Sequence, residues 1–166
     1  MTVTRHGSAM VEFPSDREAL ITRKFDASAE LVFDVLTKPE HVSVWFTDGD
    51  EVLEICEIDL RVGGEYRYVG VFDNGVRCSF HGTFLEVERP VRTVATWVFD
   101  GWPDVEAVET VELQEQNGLT TMTVLLAFKD QSSRDTTTWT AEDGLHAADG
   151  MQGSYDNLED LLAALA

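Results

Sequence analysis

Between Glu18 and Phe25 the side chains alternate. Leu20, Thr22 and Lys24 fall on one side, and Ile21, Arg23 and Phe25 on the other. A period of two predicts a strand. The rhythm then changes. In ASAELVFDVLT, Leu31, Val32, Val35 and Leu36 recur at helical spacing with Phe33 between them, and Asp26 or Ser28 is placed to cap the start. KPEHVSVWF, residues 38–46, follows at once. Lys38 precedes a proline and is pushed out of helical geometry. Pro39 suits the opening position of a new helix, where no backbone donor is needed. The first helix should therefore end near Thr37, the candidate N-cap of a second that begins near Pro39. Val42, Trp45 and Phe46 then share one side of that second helix.

A long β region follows. Its candidate strands are Val52 to Asp59, Glu65 to Val71, Val76 to Val87, Arg92 to Phe99, Ala107 to Glu115 and Leu119 to Phe128. Gly63-Gly64, Asp73-Asn74-Gly75, Glu88-Arg89-Pro90, Asp100 to Pro103 and Gln116-Asn117-Gly118 form the joints. Asn-Gly at 74–75 and again at 117–118 is a strong hairpin signal, and such short connections imply an antiparallel meander. The chain closes on a helical segment, roughly Ala141 to Ala164. Met151, Tyr155, Leu158, Leu161, Leu162 and Leu165 recur there at three- and four-residue spacing. Gly144, Gly150 and Gly153 would each cost about 1 kcal/mol relative to alanine inside that helix. Either the helix starts late or something packs close against its glycine side.

These elements predict an α+β fold. A curved antiparallel sheet of about seven strands holds a long C-terminal helix on its concave face, and the two short helices fill one end of the groove. Residues 1–15, polar, glycine-containing and closed by Pro14, are expected to form a loosely held tail before a single domain over 16–166. A helix gripped by a curved sheet easily leaves an apolar cavity, a natural ligand site.

Composition narrows the function. At 43% hydrophobic and 26% charged, the chain is globular in type. Its net charge is −19, from 31 acids against 12 bases, which disfavours nucleic acid and anionic lipid surfaces. No apolar run approaches the ~18 residues that cross a bilayer. The opening MTVTRHGSAM lacks the apolar core of a signal peptide, so no membrane insertion and a cytoplasmic location are expected. Cys56 and Cys78 lie 22 positions apart, outside any metal-binding spacing, and read as reduced buried thiols.

Four segments carry a resemblance: ITRKFDASAELVFDVLTKPEHVSVWF (21–46), CEIDLRVGGEYRYV (56–69), FHGTFLEVERPVRTVATW (80–97) and GMQGSYDNLEDLLA (150–163). In this order they resemble the helix-grip superfamily (SRPBCC, START-related). Within it, they are similar to bacterial proteins related to the C-terminal domain of the activator of heat-shock-protein-90 ATPase. Ser28 departs from the pattern, which commonly has proline there, and the tail before Pro14 is not covered. The resemblance implies the helix-grip fold but no single activity. The superfamily holds lipid carriers, hormone receptors, and polyketide cyclases and dehydratases. The co-chaperone association belongs to larger eukaryotic proteins with an extra N-terminal domain, which this sequence does not contain.

Candidate chemistry is sparse. His6, His41, His81 and His146 have no partner at metal-ligand spacing, so neither a metal nor a cofactor is expected. Nucleotide-binding and hydrolase signatures are missing as well. In IDLRVGG, Asp59 and Arg61 read as a local ion pair before a glycine turn, with ligand orientation as the alternative. In so acidic a chain no particular carboxylate stands out. The aromatics say more. Trp45, Phe46, Tyr66, Tyr68, Phe80, Trp97 and Tyr155, together with His81 and Met151, fall on elements that should face the groove, and are the expected ligand-binding set. Trp102 and Trp139 read as loop residues at a rim.

The leading expectation is a protein that binds a small, mostly hydrophobic, lipid- or polyketide-like molecule, with no catalytic residue assigned. The alternative is a cyclase or dehydratase in which Tyr66, Tyr68 and His81 position a substrate and move a proton. A chaperone-associated interaction module ranks last, and a homodimer is left open.

Overall fold

Alternation in the sequence becomes alternation in burial. Along Glu18–Phe25, Ala19, Ile21, Arg23 and Phe25 are buried while Lys24 is exposed. The structure, a computed structural model, describes residues 3–6, 9–47, 52–71, 74–75, 77–101, 103–137 and 147–166. In chain order its elements are β1 (Val3–His6), β2 (Ala9–Glu12), β3 (Glu18–Phe25), α1 (Ala29–Thr37) and α2 (Pro39–Trp45). Six strands follow: β4 (Val52–Ile58), β5 (Glu65–Val71), β6 (Arg77–Glu88), β7 (Arg92–Phe99), β8 (Glu106–Gln116) and β9 (Leu119–Phe128). Two helices end the chain, α3 (Gln131–Thr137) and α4 (Ala147–Leu165).

All strands join one antiparallel sheet in the order β1-β2-β3-β9-β8-β7-β6-β5-β4. The meander runs from β4 to β9 and closes beside β3. This is the helix-grip arrangement, with nine strands among the described residues where periodicity predicts about seven. The two extra strands correct the reading of residues 1–15 as a loose tail. Ala9–Glu12 pairs with β3 through Val11↔Ile21, and Val11 is buried in the core. Without this hairpin β3 would be an open edge with unpaired backbone groups. Four-residue strands interrupted by glycine are too short for periodicity to register.

The helix boundaries follow from capping. Ser28 Oγ accepts from Leu31 N at 3.2 Å and starts α1. Lys38 adopts an extended conformation before Pro39 and serves as the N-cap position of α2, without a side-chain cap. Thr37, expected in that role, is instead the last residue of α1, and its hydroxyl donates to Phe33 O at 2.7 Å. At the β8–β9 hairpin Asn117 and Gly118 both take positive φ, 56° and 81°, as a primed turn requires. Helix α3 lies outside the predicted elements, because QSSRDTT carries no apolar stripe; the Asp130 carboxylate accepts from Ser133 N at 2.7 Å at its start. The final helix is described over Ala147–Leu165, and the first residues expected in it, Gly144 among them, lie outside the described residues, as do Trp139 and Trp102.

The main core cluster lies between the helices α1, α2 and α4 and the concave face of the sheet. Phe33, Val35, Val42, Met122, Val124 and Leu158 are among its buried members. Arg23 fixes α4 to this part of the sheet. Its side chain has no exposed surface, and its Nη2 donates to Asp156 at 2.9 Å and Glu159 at 3.0 Å. Two further bonds tie α4 to the end of α2: Ser154 Oγ donates to Phe46 O at 2.6 Å, and Asn157 Nδ2 to Thr47 O at 2.9 Å.

Candidate functional site

Strand pairing decides which side chains share the concave face. Cys56, Tyr68, Phe80 and Phe99 form one row across β4 to β7, through the pairs Cys56↔Tyr68, Tyr68↔Phe80 and Phe80↔Phe99. One step along, Ile58 pairs with Tyr66 and Tyr66 with Gly82. Gly82 is required there. A Cβ at this position would run into the Thr96 carbonyl and come within 2.7 Å of the Tyr66 ring. The space left by the glycine lets Tyr66 lie across β6 and donate its hydroxyl to Thr96 O at 2.9 Å.

Seven of the nine expected residues form a connected run of rings. Phe46 stands 4.8 Å from Tyr68 and 5.5 Å from Phe80, centroid to centroid. Phe80 is 5.8 Å from Trp97 and 5.0 Å from Phe99. Tyr66 and Tyr68 are 5.1 Å apart, and Trp45 meets Phe46 at 5.8 Å and Tyr155 at 6.4 Å. Trp45 is largely structural: it is buried, and its indole N–H donates to Val35 O at 2.9 Å, locking α2 onto α1.

His81 does not join the run. Consecutive strand residues point to opposite faces, so with Phe80 turned inward His81 is turned outward. It is half exposed, and its Nδ1 lies 2.9 Å from Asp100 Oδ1. This corrects its placement in the groove and removes the proton-moving group from the cyclase or dehydratase alternative. The side chain of Met151 lies outside the described residues, although its backbone belongs to α4.

Burial divides the concave face in two. Ala19, Ile21, Leu113, Met122, Val124 and Phe128 are shielded. Toward β5–β8, Tyr68, Phe80, Trp97 and Phe99 retain partial exposure although they point inward, as does Tyr155 on α4. Burial is thus complete at one end of the concave face and partial at the other. Burial pushes the Tyr66, Tyr68 and Tyr155 hydroxyls well above the ordinary phenol range, with the nearby Glu109 charge adding to the shift. It raises the Cys56 thiol to about 11, helped by the negative charge of Glu40. The tyrosines and this thiol thus stay neutral at physiological pH.

Glu109 was not singled out from the sequence. It pairs with Ala95 on one side and Leu126 on the other, both concave-face residues. Burial holds its carboxyl up at about 7. The signal was present in the alternation of β8: Ala107, Val111 and Leu113 take the inward parity, and Glu109 is a charged residue set between them.

Elsewhere, Arg61 Nε donates to Asp59 Oδ2 at 2.8 Å on the surface, and Gly63 takes a φ of 84° in the turn that follows. The adjoining cleft of about 390 Å³ is open and polar and lies outside the groove. Among the described residues no three His, Cys, Asp or Glu side chains come together as a metal site, and Cys56 and Cys78 are not joined in a disulfide.

A model of the family described as activator of Hsp90 ATPase homolog 1-like protein matches residues 26–163. Among solved structures, a Rhodobacter sphaeroides protein aligns with a TM-score of 0.86 at 22% identity, covering 95% of this chain and 99% of its own. A Nitrosomonas europaea protein aligns at 0.77 and 25% identity, covering 93% and 99%. An AHSA1 protein of Silicibacter pomeroyi aligns at 0.69 and 18% identity, covering 90% and 99%. These likenesses bear on the fold. No curated protein matches the chain significantly.

Proposed function

The chain belongs to the family of activator of Hsp90 ATPase homolog 1-like proteins, and on that premise we propose that it binds a small, mostly hydrophobic molecule between the sheet and α4. The observation that carries this reading is the run of inward-facing rings, Phe46, Tyr68, Phe80, Trp97 and Phe99, whose surfaces are only partly covered. Apolar surface left partly bare inside a groove contributes about 25 cal/mol for each Å² that a ligand covers. Lipid- and polyketide-like molecules have the length and apolar character to follow such a run. No described helix is long and apolar enough to cross a membrane, and we place the protein in the cytoplasm, where it would take its ligand from solution or a membrane surface.

Native mass spectrometry of the chain mixed with a panel of apolar molecules tests the reading. The expected outcome is a one-to-one complex with at least one class, weakened by Phe80→Ala. A chain that retains none of a broad panel would overturn it.

A further inference from the structure

Three polar groups face the partly exposed end of the concave side, and the Glu109 charge acts on both tyrosine hydroxyls. Glu109 reaches it from the centre of the sheet, Tyr68 from β5 and Tyr155 from α4. Among the described residues, nothing donates a hydrogen bond to the Glu109 carboxylate and no cation pairs with it. The Tyr68 and Tyr155 hydroxyls likewise have no hydrogen-bond partner there, whereas the Tyr66 hydroxyl is engaged with Thr96 O. The buried cation of the groove, Arg23, is held by Asp156 and Glu159 on α4. All three are partly exposed and, among the described residues, unpartnered, so they point to what a ligand's polar end can meet.

We infer that the ligand of this groove carries a protonated amine on an apolar body, with the ammonium received by Glu109, Tyr68 and Tyr155. This deepens the proposed function and rests on it. An ammonium has three donors and no acceptor, and three oxygen-bearing groups stand ready to accept. A hydroxyl can donate to Glu109 and accept from a tyrosine, but it brings no positive charge to meet the carboxylate. A carboxylate-ended molecule such as a fatty acid would meet Glu109 as a like charge. The net charge of −19 acts in the same direction at longer range, gathering cations and repelling anions.

The site has a pH dependence of its own. The ammonium needs Glu109 ionised, and burial holds that group at about 7. The groups facing it do not titrate in competition: Tyr66 and Tyr68 from β5 and Tyr155 from α4 are pushed up, and Cys56 from β4 lies at about 11. Arg23 from β3 is a cation already paired. Affinity for an amine should therefore fall as pH drops below about 7, while affinity for a neutral ligand should not.

Dodecylamine, dodecanol and dodecanoate share one apolar chain and differ in the head. Their affinities for wild type and Glu109→Gln, measured by displacement of a fluorescent apolar probe at pH 8 and pH 5.5, test the inference. Wild type at pH 8 should bind the amine about tenfold or more tighter than the alcohol, with the carboxylate weakest. The preference should shrink at pH 5.5 and vanish in Glu109→Gln. Equal binding of amine and alcohol by wild type overturns the inference and leaves the groove reading intact. So does an amine preference that survives in Glu109→Gln, because it would then come from surface charge. Failure of all three to bind overturns both. The wild-type pH comparison stands whether or not the variant folds.

Discussion

Glu109 is held inside the sheet at an energetic cost that changes with pH. Its carboxyl is raised from 4.5 to about 7 by burial, so the folded chain binds a proton more tightly than the unfolded chain. The sign follows from linkage: stability is greatest below about pH 4.5 and is lost as pH rises through about 7. The loss at pH 8 is on the order of 3 kcal/mol. Glu109→Gln, which cannot ionise, should lack this slope. Urea denaturation of both proteins at several pH values between 4.5 and 8 should show the variant gaining on wild type as pH rises; parallel profiles would contradict the burial of an ionised group. Glu109 also shows what was legible at this scale. Its inward parity could be read from Ala107, Val111 and Leu113, but its isolation could not, because that depends on which strands lie beside β8. His81 shows the reverse: it was assigned to the groove together with its neighbour Phe80, and strand geometry alone forbids both from facing inward.

At the scale of elements, α4 is held on the sheet by a buried cation whose partners sit at the helix surface. Arg23 is fully buried, its Nε and Nη1 have no partner, and Asp156 and Glu159 are more than half exposed. Neutralising the two acids strands a buried charge. Asp156→Asn combined with Glu159→Gln should cost about 3 kcal/mol, whereas Arg23→Met, which fills much of the same space without charge, should be near neutral or stabilising. Chemical denaturation distinguishes the two, and a large loss in Arg23→Met with none in the double variant would refute the account. Most of the elements could be read from periodicity. Glu65–Val71, Arg92–Phe99 and Leu119–Phe128 have the ends expected from their flanking turns, and Asn117-Gly118 makes the hairpin its chemistry demands. The missed elements lack a local signal. Helix α3 has no apolar stripe, and β1 and β2 are four residues each, defined by pairing and by the burial of Val11.

For the whole molecule, the charge of −19 is spread along a chain that folds into one sheet and its covering helices. Self-repulsion of that size opposes compaction and is screened by salt. The Debye length falls from about 30 Å at 0.01 M to about 3 Å at 1 M. The melting temperature at pH 7.5 should therefore rise by several degrees across that range; a flat or falling profile would mean that local ion pairs such as Arg92 with Glu86 and Glu112 outweigh the general repulsion. The architecture itself followed from the order of the elements, since a meander followed by an amphipathic helix has few ways to bury both. The ligand did not, because the groove is lined by residues that serve equally well as core. Equilibrium titration with a fluorescent apolar probe at 0.5 M salt, where surface charge is screened, tests the central claim most directly. Saturable uptake of one probe per chain, displaced by a non-fluorescent apolar competitor, is the predicted result. The absence of saturable uptake by the folded chain would contradict it.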